Sequence, residues 1–321
     1  LSQCACLARL SVGRCMPPGE IYAFGLYRPG AAQAAWDYVF VNEAQAFHRY
    51  RNTGREGLYD SLNLVQDKHE LALLLASRGI PVAPVLALIP KGSSFNPLPL
   101  LAEAPRLFCK PRHGSAGRDS FVIERQHDGT AAIFYTQNGI RGGRGDLEAL
   151  QAALRQDDFL VQPFLHNHPA LVNLNSGNDV ITVRVVTEYD NESARCWNAV
   201  LEVPFSRADV CGHGHCILPI ELATGKLHPF PAVDLPLHAI KQHNTILAEI
   251  GTKTLPCWQE IRSHAVAAHE CVPGMSSVAW DYAITPDGPF MLEGNSGWGL
   301  TTPQMLSGGI LKRYDKRKNV C

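Results

Sequence analysis

The pattern of apolar and polar positions separates a weakly ordered start from a strongly patterned remainder. Residues 31–50 set Trp36, Val39, Phe40 and Phe47 near helical spacing, which predicts one helix there. The Gly- and Pro-rich stretch 13–30 before it predicts a loop. The character changes at Asn63. Asp67 precedes an apolar-striped run over 68–76, and Gly79 closes it, the pattern of one helix with an acidic start and a terminal glycine. Pro81 and Pro84 lead into a predicted strand over 85–89. Gly92, Ser93, Ser94, Pro97, Pro99 and Pro105 predict an irregular linker over 91–105. Strands are predicted over 107–110 and 120–124, with a Gly-rich turn between them. Asp128-Gly129 signals a hairpin, 147–156 reads as helix and 159–163 as strand.

The second half alternates more clearly. Residues 180–189 and 196–203 are β-rich, and 259–269 has a helical pattern. Strands over 277–284 and 289–293 are joined by the turn Pro286-Asp287-Gly288. Hairpins mixed with helices, without regular βαβ units, predict an α+β fold.

Length and composition narrow the classes. A chain of 321 residues exceeds one simple core, so subdomains are expected. Hydrophobic residues make up 45% and charged residues 18%, an ordinary globular balance. The net charge of −1 supplies no basic field to gather nucleic acid. No apolar run reaches the roughly 18 residues of a membrane helix. The opening ten residues are apolar but lack the charged start and cleavage site of a secretory leader, so a cytoplasmic protein is expected. The ten cysteines follow no regular spacing and do not read as a disulfide framework.

Three constellations carry chemistry. The first runs from Phe108 to Ser120 and contains Lys110, Gly114, Ser115 and Gly117. Glycines let backbone N–H groups approach phosphate oxygens, and Lys110 can meet the same phosphates as a point charge. A glycine-rich hairpin with a surface lysine accounts for the same residues. The second is Trp280-Asp281, the turn, then Glu293-Gly294-Asn295. Residues two apart on a strand share a face, so Glu293 and Asn295 project together, and the hairpin brings Asp281 towards them. Three hard oxygen side chains suit Mg2+, and the apolar neighbours Trp280, Met291 and Leu292 argue against a merely solvated polar end. The third is Arg184 inside the apolar strand 180–187. A buried Arg is costly without anions. A phosphate or a structural ion pair would satisfy it.

The order Asp67-Lys68, Lys110-Pro111 with its Gly-rich loop, Leu160 to Pro163, Arg184, Asp281 and Glu293-Gly294-Asn295 resembles the ATP-grasp superfamily. The segments His166 to Leu171, Asp179 to Thr187, Ala223 to Pro229, Leu255 to Trp258 and Val278 to Gly294 resemble its sugar-transfer-associated group. The resemblance spans about residues 62–309. It implies an ATP-grasp fold in which two α+β subdomains grip ATP, preceded by a mostly helical or irregular extension. The expected division is 1–62, 63–165 and 166–321. Lys68 and Lys110 would bind phosphates, and the loop Gly114 to Gly117 would close over them. Gln162 and Leu165 would meet adenine, with His166 and His168 near the ribose. Asp281, Glu293 and Asn295 would hold Mg2+, and Arg184 with Lys110 would serve catalysis. The implied reaction joins a small-molecule or sugar-linked carboxylate to an amine through an acyl phosphate. The rival outcome is a kinase acting on a hydroxyl.

Cys211-Gly212-His213-Gly214-His215-Cys216 departs from the group pattern. Its spacing is tight for structural zinc, and a substrate-side or gating loop is the preferred reading. Residues 1–60 and the loops 141–146 and 209–216 are expected to shape the substrate pocket.

Overall fold

The computed structural model describes residues 2–114, 119–137, 140–145, 147–175, 179–190, 192–205, 214–230, 237–250 and 253–314. The chain divides into two compact units, residues 1–55 with 297–321, and residues 56–296.

The first unit contains α1 (Ser2–Arg14), α2 (Pro18–Ala23), a 3-10 turn (Ala31–Asp37), α3 (Ala44–Asn52) and a closing helix (Thr301–Ser307). Leu10, Ile21, Leu26, Ala35 and Phe40 form its core. Two sequence expectations fail here. The single helix over 31–50 is broken between the 3-10 turn and α3. Val39 explains the break: its N–H donates to Gln304 Oε1 at 2.8 Å, and its C=O accepts from Gln304 Nε2 at 2.7 Å. Backbone groups committed to a side chain 265 residues away are not available to a helix. The loop expected over 13–30 contains all of α2. Pro17 and Pro18 open that helix, where a missing N–H costs nothing.

The second unit holds two antiparallel sheets. Helices α4 (Leu58–Gln66) and α5 (Lys68–Ser77) lead into it. Asp67 separates them, and its side chain accepts the N–H groups of His69 and Glu70 as the cap of α5. Next come β1 (Ala87–Ile89), α6 (Leu98–Glu103), β2 (Arg106–Pro111), β3 (Phe121–Arg125), β4 (Ala131–Gln137), β5 (Ile140–Gly145), α7 (Leu147–Leu154) and β6 (Phe159–Pro163). Helix α6 replaces part of the linker expected over 91–105. Asn96 accepts the Leu98 N–H at 3.1 Å, and Leu101 is buried in the core, so local capping and burial overcome the prolines. The six strands pair in the order β1-β6-β2-β3-β4-β5. Residues 141–145 belong to β5, not to a loop.

The second sheet consists of β7 (Thr182–Tyr189), β8 (Ala194–Pro204), β9 (His215–Pro219), β10 (Ser277–Thr285) and β11 (Gly288–Asn295). Its order is β11-β10-β7-β8-β9, and α8 (Leu237–Ile250) and α9 (Trp258–Glu270) complete the unit. Strand β9 was not foreseen. It carries His215 and Cys216, which were expected in a loop.

Strand alternation assigns the faces. In the first sheet Leu107, Cys109, Phe159 and Val161 pack with Leu150 and Leu154 of α7. In the second Val183, Val185, Leu201 and Tyr282 pack with Ile261 and Ala265 of α9. Each sheet therefore spends one face on a helix-covered core. The alternate positions, Phe108, Lys110 and Gln162 in one sheet and Thr182, Arg184 and Asp281 in the other, fall on the remaining faces. This is the expected α+β fold.

Candidate active site

Two cavities adjoin in the second unit. The larger is lined by Phe108, Lys110, Gln162, Leu165, Thr182 and His215, among others. The smaller is lined by Lys68, Lys110, Gln162 and Glu293 beside apolar residues from α5 and β11. Lys110 and Gln162 border both.

The hairpin end is ordered by strand pairing. Asp281 lies directly opposite Glu293 in the β10/β11 register. The register then shifts, so Tyr282 pairs with Met291 and Leu292 is left as an extra residue. The Leu292 carbonyl accepts a hydrogen bond from Lys110 Nζ at 2.9 Å. Asn295 Nδ2 donates to Asp281 Oδ2 at 3.0 Å and to Glu293 Oε1 at 3.3 Å. The three oxygen-bearing side chains thus converge as the hairpin pattern implied. Among the described residues no three His, Cys, Asp or Glu side chains form a metal cluster. The converging set is two carboxylates and an amide.

Arg184 is more heavily engaged than expected. Its Nε and Nη2 donate to the two Asp281 oxygens at 2.8 and 2.9 Å, and Nη1 donates to Glu202 Oε1 at 3.1 Å. The charge of Asp281 holds the guanidinium proton more firmly than usual, outweighing burial. Glu202, missed in the sequence, lies on β8. Burial raises its carboxyl pKa while Arg184 opposes the shift. An alternating acidic position in an apolar strand was its signal.

The lysines meet from two elements. Lys68, the first residue of α5, donates from Nζ to the Gly114 carbonyl at 2.7 Å. Burial lowers its pKa, and Glu293, Asp157 and Asp67 counteract this. Lys110 on β2 is only 6% exposed. Burial pushes its pKa down to about 8, against the pull of Glu293 and with the help of Lys68. Gly114 has φ of +99°, a conformation that favours glycine. Ser115 and Gly117 lie outside the described residues.

Gln162 forms part of the cavity wall. Its Nε2 donates to the Ala83 carbonyl at 3.0 Å. Leu165 lines the larger cavity. His168 does not line either cavity. Its N–H donates to the Ile284 carbonyl at 2.8 Å and its Nδ1 accepts the Ala170 N–H at 3.1 Å, so it shapes a turn. His215 occupies the cavity wall instead. Burial and the nearby Arg184 push its pKa down to about 4, which leaves the imidazole neutral at pH 7. Its neighbour Cys216 is buried in the core on the opposite face of β9. These two members of the Cys/His segment therefore do not share a metal, and 211–213 lie outside the described residues.

Two antiparallel sheets, each backed by helices and bordering the two cavities on the other face, fit the architecture that the resemblance implies. The chain belongs to the sugar-transfer associated ATP-grasp family, whose pattern matches residues 49–320. No curated protein matches the sequence. Among solved structures it is similar to a D-cycloserine synthetase, with 16% identity, 78% of this chain and 68% of that one covered, and a TM-score of 0.40. It is similar to D-alanyl-alanine synthetase A from Vibrio cholerae, at 12% identity, 76% and 60% coverage and a TM-score of 0.43. D-alanine–D-alanine ligase from Bacillus anthracis, complexed with ATP, gives 10% identity, 81% and 62% coverage and a TM-score of 0.43. The chain spans 60% to 68% of the length of these three proteins. Among the described residues no helix is long and apolar enough to cross a membrane.

Proposed function

We propose that this protein binds Mg-ATP in the two adjoining cavities and uses it to join a carboxylate to an amine. One observation carries the reading: Lys68, Lys110 and Glu293, far apart in sequence, border a single cavity. Asn295 Nδ2 links the Glu293 carboxylate to that of Asp281. The larger cavity, with apolar walls and a few polar groups, suits a nucleoside.

Asp281, Glu293 and Asn295 fit a small hard cation. One Asn295 NH2 group donates to both carboxylates, which supports a shared position for positive charge. Bound Mg2+ would supply neutralisation of phosphate charge. Lys68 and Lys110 hold and orient the triphosphate, and burial around Lys110 excludes water. Arg184 fixes the Asp281 carboxylate by a two-pronged ion pair and so acts mainly on the metal side of the site. Phosphoryl transfer asks chiefly for positioning and charge neutralisation, which these groups supply.

In the proposed reaction a substrate carboxylate oxygen attacks the γ-phosphorus and ADP leaves. The amine nitrogen then attacks the acyl carbon, phosphate leaves and the amine gives up a proton. The carboxylate is small or sugar-linked, by association with the family. His215 in place of His168 is the candidate ribose-side contact.

The test is incubation with ATP, Mg2+ and a panel of carboxylates, with and without amines, then with hydroxylamine. Hydroxamate together with ADP is the expected outcome. A stable phosphorylated product formed without any amine would make the protein a kinase instead. No ATP consumption with any carboxylate or hydroxyl compound would remove the enzymatic reading.

A further inference from the structure

Lys68 opens a helix and Lys110 sits on a strand, and both are long, flexible side chains. Something must hold their backbones in register if they are to grip one triphosphate. We infer that Arg112 is that positioning residue, an inference that rests on the proposed reading of the lysine-lined cavity as the phosphate site.

The geometry places Arg112 between the parts it would connect. It lies two residues after Lys110 and two before Gly114, whose carbonyl accepts from Lys68. Its Nε donates to Asp67 Oδ1 at 2.9 Å and Oδ2 at 3.0 Å, and its Nη2 donates to Asp67 Oδ2 at 2.6 Å. Nη2 also donates to Glu70 Oε1 at 3.3 Å, and Nη1 to Asp158 Oδ2 at 3.3 Å. The backbone repeats these links. The Arg112 carbonyl accepts the Lys68 N–H at 3.2 Å, and the Arg112 N–H donates to the Asp158 carbonyl at 2.8 Å.

Asp67 has two tasks in this arrangement. It caps α5 through the N–H groups of His69 and Glu70, both at 3.1 Å, while it receives the Arg112 fork. Burial raises its pKa, but the hydrogen bonds from Arg112 and the helix outweigh this and hold it below the usual range. The first residue of the capped helix is Lys68. A planar fork on the capping carboxylate therefore orients the start of α5 against the end of β2, and the two lysines follow.

Arg112 is not itself placed as a phosphate ligand. Nε and both terminal nitrogens donate to carboxylates, its side chain is 20% exposed, and it lines neither the nucleotide cavity nor its neighbour. Its charge is committed to Asp67, Glu70 and Asp158, leaving Lys68 and Lys110 for the ligand. Without the Arg112 side chain the helix start keeps only its backbone link to residue 112, and Asp67 loses its guanidinium partner beside Lys68. Both effects weaken triphosphate binding.

The test is a double-mutant cycle on ATP affinity in the presence of Mg2+, by titration calorimetry. The proteins are wild type, Arg112→Ala, Arg112→Lys, Lys68→Ala, and each Arg112 variant combined with Lys68→Ala. Thermal melts identify variants that are folded at the assay temperature. Arg112→Lys keeps the charge but loses the fork, and is read if Arg112→Ala does not fold. The expected result is a loss of ATP affinity of about tenfold or more for Arg112→Ala, and a smaller loss for Arg112→Lys. In the Lys68→Ala background each loss should shrink to about twofold or less. Unchanged ATP affinity in a folded Arg112 variant overturns the inference. So does an equal loss with and without Lys68, which would show general damage rather than positioning. A wild-type protein that binds no ATP would overturn the underlying reading of the cavity, a separate and distinguishable failure.

Discussion

The two sides of the candidate site are built on different plans. On the carboxylate side, Asp281, Glu293 and Asn295 belong to one hairpin, and Asp281 and Glu293 are register partners. On the cation side, Lys68 and Lys110 belong to different elements, and their meeting depends on an ion-paired junction at Asp67 and Arg112. A local turn sets the first arrangement. Long-range packing sets the second. Apart from Arg184, which grips Asp281 from β7, the carboxylate side should therefore tolerate changes elsewhere in the unit, whereas the cation side should be sensitive to residues that never touch a ligand.

The largest expected effect tests the carboxylate side directly. Glu293→Gln keeps the shape but removes a charge, and Mg-dependent ADP formation should fall about 10²-fold or more. Its melting temperature should change little, because the substituted carboxylate is a half-buried acceptor and not a core element. ADP formation within tenfold of wild type would break the assignment of the hairpin as the metal side.

A smaller effect sharpens the claim that the hairpin is rigid by local packing. A Cβ on Gly294 would sit 2.7 Å from Trp280 Cζ3. Trp280 has little freedom to move away, since its Nε1–H donates to Thr187 Oγ1 at 2.8 Å and Thr187 Oγ1 lies 2.7 Å from His269 Nδ1. Gly294→Ala should therefore cost about 1–3 kcal/mol, read from the urea midpoint at unchanged m-value. A midpoint equal to wild type would show that the indole yields.

The smallest effect concerns the cation side and pH. Burial places the Lys110 pKa at about 8, below its ordinary value, so the ammonium is charged at pH 7 and loses its proton as pH rises through 8. Triphosphate favours the charged form. ATP affinity should consequently fall above pH 8 by at most about tenfold per pH unit, and binding at pH 9 should take up protons. Calorimetry in two buffers of different ionisation enthalpy measures that uptake. Lys110→Arg, charged throughout, should abolish it, and an uptake that persists would assign the proton to another group.

The sequence was most legible where structure is local. The α5 helix with its acidic start at Asp67, the Asp128-Gly129 turn and the β10/β11 hairpin each depend on a few adjacent residues, and each forms. It was least legible in residues 13–50. There the backbone follows partners such as Gln304, which no local window contains. His168 and His215 make the same point within the site. Both are histidines near turns or strand ends, and only strand pairing puts one of them in the cavity wall.

The chain by itself determined the α+β class, the strand periodicity, the hairpin that joins Asp281 to Glu293 and Asn295, and the family to which they belong. Side-chain alternation and turn chemistry act over a few residues, so they can be read directly. The tertiary structure decided that Arg184 is held between Asp281 and Glu202, that His215 faces the cavity, and that Arg112 ties the two lysines together. Those outcomes depend on which strands become neighbours and which charges are left to pair once the apolar faces are buried.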